Sequence, residues 1–326
     1  MVSVGIIGLG RFLPSKKLTN ADLTKMVDTS DEWIRTRTGI VERRIAAVDE
    51  KTSDLASKAA LDALKNAKIA ATKIDLIIVA TISPDSNFPS MACKVQKAIG
   101  AKGAIAFDVS AACSGFLFAL TTAKQYIQCG MAKNALVIAA ERISSLIDWK
   151  DRGTCVLFGD GAGACILSEV KEGGVVADFL QSFGELGDLM EVVNEEVRSP
   201  FTPEKTSYTK LPYVVMQGTE LFKVAVNSMA DAVDAVLKKA KMTKGEVDCI
   251  VPHQANDRII TAVAKKLDIP KEKIFINIDK YGNMSAASIS VALYEAVESK
   301  QIKKGSNVVL VAFGAGLVSG ANVVKW

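Results

Sequence analysis

The sequence predicts an α/β chain built as an internal duplication, with mostly parallel sheets covered by helices. Three observations lead there. Short β-branched runs alternate with longer stretches of helical period. The same order of strands and helices recurs in the second half of the chain. The 326 residues suffice for about two domains or one duplicated domain, and a hydrophobic content of 49% supplies a large core.

In the first half, residues 4–8, 76–80, 104–109 and 135–140 read as strands, and 155–157 with 163–167 as a hairpin-like end. Residues 54–66, 89–99 and 113–129 read as helices. In the second half the strands fall at 175–179, 247–251, 274–276 and 308–312, and the helices at 218–240, 257–267 and 284–299. In the register of the duplication, the run beginning at Asp75 aligns with the run beginning at Glu246, and Ala135 aligns with Val308. Residues 185–213 are polar and irregular, with Pro200, Pro203 and Pro212, and read as a long surface loop or lid. Residues 306–324 lack charge over nearly a bilayer length. Gly314, Gly316, Gly320, Asn307 and Asn322 interrupt them, so two buried strands around a glycine turn fit better.

Lysine plus arginine number 40 against 36 acidic residues, and a net charge of +4 gives no reason to expect nucleic-acid binding. The start, Met1-Val2-Ser3-Val4-Gly5, carries neither a basic leader nor an unbroken apolar stretch, so a cytoplasmic protein without membrane attachment is expected. Six cysteines lie without C-x-x-C spacing, which indicates reduced thiols and neither a zinc site nor a redox pair. Gly8-Leu-Gly10 follows a strand but lacks the third glycine of a dinucleotide fingerprint, and the run Gly159-Asp-Gly161-Ala-Gly163 lacks the lysine of a phosphate loop.

Cys113 follows a buried strand and opens an apolar helix, so its sulfur is expected at a helix amino terminus, where a thiolate is favoured. Ser114-Gly115 would let an acyl carbonyl approach the backbone. The chain has a single histidine, His253, directly after a strand, and strand carboxyl ends are where ligands bind in doubly wound sheets. Asn283 precedes a helix and occupies, by the duplication, the place that Cys113 has in the first half. A pseudo-twofold axis would bring the two helix starts together. Cysteine, histidine and asparagine without a carboxylate base suit decarboxylation, where two neutral donors hold a thioester oxygen as enolate charge develops. A hydrolytic cysteine enzyme would use the same residue types.

Ala112-Cys113-Ser114-Gly115-Phe116, Val251-Pro-His253-Gln-Ala-Asn256, Tyr281-Gly-Asn283 and Phe158-Gly-Asp-Gly-Ala-Gly-Ala164 together resemble the β-ketoacyl-acyl carrier protein synthase III family, nearly end to end. The resemblance implies a thiolase-like duplicated five-layer αβαβα fold with two mixed, mostly parallel sheets, its halves at 1–170, carrying the cysteine, and 171–326, carrying histidine and asparagine. It implies a homodimer, acyl-CoA as primer donor, malonyl-acyl carrier protein as extender, no cofactor beyond these substrates, and a role in starting fatty acid biosynthesis. Cys113 is then the acylated nucleophile, while His253 and Asn283 polarise the malonyl thioester. The oxyanion hole uses the Cys113 amide and one from the turn Phe313-Gly314-Ala315-Gly316. Ala315 replaces the more usual glycine there and tolerates the turn only if its φ is negative. Met284, in place of a small hydroxyl residue, is a second departure.

Trp33 and Arg37, with Arg43 and Arg44 nearby, read equally as a solvated basic face or as a site for a flat adenine and its phosphates. The resemblance implies that Trp33 and Arg152 sandwich the CoA adenine, that Arg37 meets phosphate, and that Gly218, Phe222 and Asn256 line the pantetheine tunnel. Lys223, Arg258, Lys265 and Lys266 suit an acidic carrier protein, and otherwise are solvated charges. Phe88 resembles the residue that closes the partner's acyl pocket. Among rival readings, a thiolase would need a second cysteine near Gly314–Gly316, and a hydroxymethylglutaryl-CoA synthase would need a glutamate base, for which Glu141 is nearest by sequence. A type III ketosynthase of secondary metabolism would keep the same residues with another primer or acceptor. A noncatalytic acyl-CoA-binding protein would be expected to have lost one of Cys113, His253 and Asn283.

Overall fold

The computed structural model describes residues 2–192 and 213–326, and within them two sheets repeat one plan. The first sheet and a small ribbon are built from β1 (Val4–Phe12), β2 (Lys16–Thr19), β3 (Glu42–Ile45), β4 (Leu76–Ala80), β5 (Ile105–Val109), β6 (Asn134–Arg142) and β7 (Asp160–Glu169). Then follow β8 (Gly174–Ser182), β9 (Met190–Val192), β10 (Val214–Met216), β11 (Cys249–Pro252), β12 (Asn307–Gly314) and β13 (Val318–Lys325). The first sheet runs β1-β7-β6-β4-β5 and the second β11-β12-β13-β8, while β2-β3 and β9-β10 form two-stranded ribbons. A parallel bridge from Ile250 to Ile274 stands where the second sheet would have its counterpart of β5.

Side-chain alternation along the strands makes the layers. Leu76, Ile78 and Ala80 of β4 and Val308, Leu310 and Ala312 of β12 point between the sheets. There they pack with the helices Gly115–Gln128 and Ala287–Glu298. Ile77 and Val79 point outward to the helices Thr52–Ala67 and Met91–Ile99. Val309 and Val311 do the same to the helices Gly218–Ala240 and Asp257–Leu267. The result is five layers, αβαβα.

A matched clamp fixes the register of the repeat. Asp75 accepts from the Asn134 amide at 3.0 Å, and the Asn134 side chain donates to the Lys73 carbonyl at 3.0 Å. Asp248 accepts from the Asn307 amide at 2.8 Å, and Asn307 donates to the Glu246 carbonyl at 2.8 Å. Leu76 pairs with Ala135, and Cys249 with Val308. Asp75 therefore corresponds to Asp248 and not to Glu246, two residues from the alignment expected from sequence.

Among the described strands, the sheets are mixed and mostly parallel in strand direction, as expected, with a single strand in each, β7 and β13, running against the others. The pairs β4-β5, β4-β6 and β11-β12 are parallel, and β1-β7, β6-β7, β12-β13 and β8-β13 are antiparallel. Other expectations need correction. Residues 155–157 are no strand. Asp151 caps a helical turn at Arg152–Cys155, its side chain accepting from the Gly153 amide. Residues 274–276 reduce to the single bridge at Ile274. Asp31–Thr38 is a helix capped by Ser30 and ended by Gly39, which puts Trp33 and Arg37 one turn apart. The segment expected as a loop or lid starts with a helical turn, Gly184–Leu189, and with β9, which pairs with β10 just beyond the segment's end. Residues 193–212, the rest of that segment apart from Tyr213, lie outside the described residues. The turn at 314–318 joins two buried strands, and among the described residues no helix is long and apolar enough to cross a membrane.

Candidate active site

Cys113 stands on a sharp turn between β5 and the helix Gly115–Gln128. The residue before it, Ala112, has φ 42°, a left-handed conformation that costs a residue with a Cβ roughly 1–2 kcal/mol. A short turn of 3₁₀ helix, Ala112–Ser114, then leads into the helix. The sulfur is buried. Desolvation pushes the thiol up from 9.0 to about 12, with the Glu141 charge adding to the effect and Ser285 opposing it. That rise is worth about 4 kcal/mol, whereas a helix start returns at most ~2 kcal/mol. The thiol is held protonated, against the expectation of a lowered pKa.

His253 follows β11 directly, and its amide donates to the Val311 carbonyl at 2.7 Å. Burial pushes its imidazole down from 6.5 to about 3, so the ring is neutral across the working pH range. Its Nδ1 is buried without a partner among the described residues. A bare ring nitrogen is the cheaper group to leave unpaired there, which puts the proton on Nε2.

Asn283 forms a single parallel bridge with Phe158. Its amide donates to the Leu157 carbonyl at 2.8 Å, and its carbonyl accepts from the Gly159 amide at 3.0 Å. Its side-chain Oδ1 accepts from the Ser285 amide at 2.8 Å, a turn that Ser285 closes with φ 48°. Because a backbone N–H must meet the oxygen, Nδ2 is the donor left over among the described residues.

Gly314 ends β12 against the nucleophile. A Cβ placed on it would lie 2.6 Å from the Cys113 nitrogen, so only glycine allows the approach. The positive φ of the following turn falls on Gly316, at 132°, and not on Ala315. Ala315 therefore sits without strain. Met284 is buried with its sulfur directed at Gly161, in the core.

Two cavities meet at Cys113. One of about 170 Å³ is lined by Cys113, His253, Asn283 and Gly314, and also by Gly218, Phe222 and Asn256. The other, about 720 Å³, is lined by Cys113, Ser285, Ala315, Asn87, Ile143 and Val192 among others. Phe88 belongs to neither wall and is 86% exposed.

Trp33, Arg37 and Arg152 also lie outside both walls but form their own cluster. The Arg152 and Arg37 guanidinium carbons are 5.0 and 5.7 Å from the Trp33 ring centre. Asn256 links this cluster to the smaller cavity. It caps the helix Asp257–Leu267 by accepting from the Arg258 amide at 2.9 Å, and it donates to the Arg37 carbonyl at 3.1 Å. Lys223, Arg258, Lys265 and Lys266 are exposed on the adjacent helices Gly218–Ala240 and Asp257–Leu267. The Arg258 guanidinium carbon is 5.7 Å from the ring of Phe222, a residue of the smaller cavity's wall, while Lys266 is engaged by Asn227 at 2.7 Å.

Sequence reasoning missed the polar cluster beside the nucleophile. Glu141 is fully buried at the end of β6. It accepts from Ser83 at 2.6 Å, from Thr81 at 3.1 Å and from the Ile82 amide at 3.1 Å, and burial pushes it up to about 7. Ser285 Oγ is close enough to interact with both Cys113 and Glu141, although it makes no hydrogen bond of good geometry. The available signal was a carboxylate closing an otherwise apolar strand run.

Comparison with known proteins decides the family. The profile described as 3-oxoacyl-[acyl-carrier-protein (ACP)] synthase III matches residues 107–184, and that of its C-terminal part matches 237–326. The β-ketoacyl-[acyl-carrier-protein] synthase III of Clostridioides difficile is 52% identical over 99% of this chain and 98% of its own. That of Caldanaerobacter subterraneus subsp. tengcongensis is 49% identical over 100% and 98%. The chain belongs to the 3-oxoacyl-acyl carrier protein synthase III family. The crystal structure of the 3-oxoacyl-[acyl-carrier-protein] synthase III from Aquifex aeolicus superposes with a TM-score of 0.93 at 48% identity, covering 99% of this chain and all of that one. The synthase III fold thus runs the whole chain, and the chain is a condensing enzyme of the acyltransferase type.

Proposed function

We propose that the protein joins a short acyl primer to malonyl-acyl carrier protein, the step that begins fatty acid biosynthesis, with Cys113, His253 and Asn283 as its catalytic residues. One observation carries the assignment of roles: a cysteine nucleophile and two neutral donors line one small cavity, with no carboxylate in its wall among the described residues.

In the first half-reaction the Cys113 sulfur attacks the thioester carbonyl of an acyl-CoA. The new C–S bond forms, the bond to CoA sulfur breaks, and the Cys113 proton leaves with CoA as its thiol. Charge on the carbonyl oxygen is met by the Cys113 and Ala315 amides. Trp33, Arg37 and Arg152 hold the nucleotide end, and Gly218, Phe222 and Asn256 the pantetheine arm. Because Arg152 already lies on the Trp33 face, a sandwiched adenine requires that side chain to swing aside.

In the second half-reaction malonyl-acyl carrier protein enters through the same cavity. His253 Nε2 and Asn283 Nδ2 donate to the malonyl thioester oxygen as carbon dioxide departs, which stabilises the enolate without a general base. The carbanion attacks the acyl carbon on Cys113, a C–C bond forms, and the thiolate leaves and takes up a proton. Lys223, Arg258, Lys265 and Lys266 attract the acidic carrier, Arg258 from beside the cavity-lining Phe222. The larger cavity receives the acyl chain, and in a homodimer Phe88 of one protomer would close the pocket of its partner.

The test is intact mass after incubation with a panel of acyl-CoAs, followed by malonyl-acyl carrier protein, for wild type and Cys113→Ala. An adduct on wild type alone, discharged into a β-ketoacyl carrier protein, is expected and would rank primers. Discharge into water would mean a hydrolase, and no adduct with any primer would mean a noncatalytic acyl-CoA binder.

A further inference from the structure

One carboxylate outside both cavities is tied to the peptide segments that carry both polar donors. Glu295 lies on the helix Ala287–Glu298 and is nearly buried. Tyr281, two residues before Asn283, donates its hydroxyl to Glu295 Oε1 at 2.5 Å. Asn277 donates its side-chain amide to Oε2 at 3.0 Å. The Asn277 backbone amide in turn donates to Gln254 Oε1 at 3.0 Å, and Gln254 Nε2 donates to the Pro252 and Phe275 carbonyls at 2.9 and 3.2 Å. Pro252 and Gln254 flank His253. Arg11, from the first half, pairs with Glu295 and also reaches Glu298 at 3.1 Å, while Lys280 stands 3.9 Å away.

Hydrogen bonds to a charged acceptor are the strong ones, and in a buried setting they hold their partners tightly. The Tyr281 branch fixes the approach to Asn283, and the Asn277–Gln254 branch fixes the end of β11 at His253. Among the described residues no corresponding branch reaches Cys113, whose backbone lies between the left-handed Ala112 and the close approach of Gly314.

We infer that Glu295 is a positioning residue that sets His253 and Asn283 at a common spacing, so that it serves malonyl decarboxylation and not acylation of Cys113. This rests on the roles proposed above for those residues. It assigns nothing to Glu295 in contact with substrate. A displacement of donors by about 1 Å is enough to lower a rate by ~100-fold.

The experiment measures two half-reactions separately on the full chain, for wild type, Glu295→Gln, Tyr281→Phe and Asn277→Ser. Acylation is read by intact mass with acyl-CoA, and decarboxylation by carbon dioxide release from malonyl-acyl carrier protein, with melting temperature recorded for each. Expected are losses of ~10- to ~100-fold in decarboxylation with acylation within ~3-fold of wild type. Tyr281→Phe removes a single hydroxyl and keeps the question open to refutation if Glu295→Gln folds poorly. Parallel losses in both half-reactions, or unchanged decarboxylation in Tyr281→Phe and Asn277→Ser, would overturn the inference. A wild type that neither acylates nor decarboxylates would instead remove the proposed reaction itself.

Discussion

The two halves carry the same framework and opposite chemistry at the same places. In the register fixed by the clamps, Ala80 corresponds to His253, Thr81 to Gln254 and Glu141 to Gly314. At the first position set, the Glu141 carboxylate takes up the donors of Thr81, Ser83 and Ile82, and the strand ends are sealed. At the second, Gly314 removes a side chain so that the nucleophile's backbone can close in, and the donors of His253 and Asn283 meet no protein acceptor among the described residues. A strand end whose hydrogen bonds are all spent is scaffold. One whose donors are left over, in a cavity that reaches a buried thiol, is where a ligand completes the set.

The sharpest way to break that contrast is to exchange the fates of the two half-reactions. Cys113→Ala is expected to abolish the acyl adduct. His253→Ala is expected to keep the adduct while lowering decarboxylation by ~10²- to 10³-fold, the usual weight of one donor to a developing oxyanion. Intact mass and carbon dioxide release separate the two. Full condensation by the His253 variant would mean that the second half does not hold the malonyl group.

The corresponding pair Glu141 and Gly314 gives the next largest effect, and in different observables. Gly314→Ala drives a methyl group into the Cys113 backbone, where its Cβ has 2.6 Å, and should cost ~100-fold in acylation. Glu141→Ala strands three buried donors and should cost ~2–4 kcal/mol of stability, read from the denaturant midpoint. If Gly314→Ala lost stability alone, or Glu141→Ala lost activity at unchanged stability, scaffold and site would be wrongly divided.

Opposite pH dependences follow for the same two strand ends. His253 titrates near 3 when folded against 6.5 when free, so the native state binds fewer protons between those values. Its contribution to stability is present above pH 6.5 and is lost as pH falls toward 3. Glu141 titrates near 7 against 4.5, so its contribution is present below pH 4.5 and is lost as pH rises through 7. Melting temperature against pH should lose part of its acid limb in His253→Asn and gain at pH 8 in Glu141→Gln. A Glu141→Gln protein with an unaltered profile would mean that the carboxylate is not buried as a charge.

Much of this was legible in the sequence, for physical reasons that also mark where reading stopped. Cys113 stood out because a small-residue turn follows an apolar strand, and His253 because it is the only histidine and ends another strand. The repeat was legible as an order of elements. Its register in β11 was not, because side chains alternate with period two and a slip of two residues keeps every apolar residue on its own face. Residues 155–157 look like a strand because Cys-Val-Leu fits one, but the Asp151 cap upstream starts a helical turn instead. The expected thiolate failed on magnitude: a helix start was weighed and desolvation was not. Glu141 was weighed only as a base for a rival enzyme, and Glu295 passed unread, since a glutamate on a helix looks like a solvated charge until its partners from 277, 281 and 11 are seen.

The smallest effect tests the duplication itself. Asp75 and Asp248 occupy one position in two copies of a clamp, each accepting a backbone amide at the start of the neighbouring central strand. An amide in place of the carboxylate keeps an acceptor but removes its charge, so Asp75→Asn and Asp248→Asn should each destabilise by about 1 kcal/mol. Asp75 also meets the Lys133 amide at 2.9 Å, which makes its loss the larger of the two. The clamps belong to different sheets and share no partner, so the double variant should add to within ~0.5 kcal/mol. Both sit at the strand ends away from Cys113, and kcat should not move in either. A strongly non-additive double variant would mean that the sheets are coupled through the central helices, and that the halves do not act as two copies of one framework.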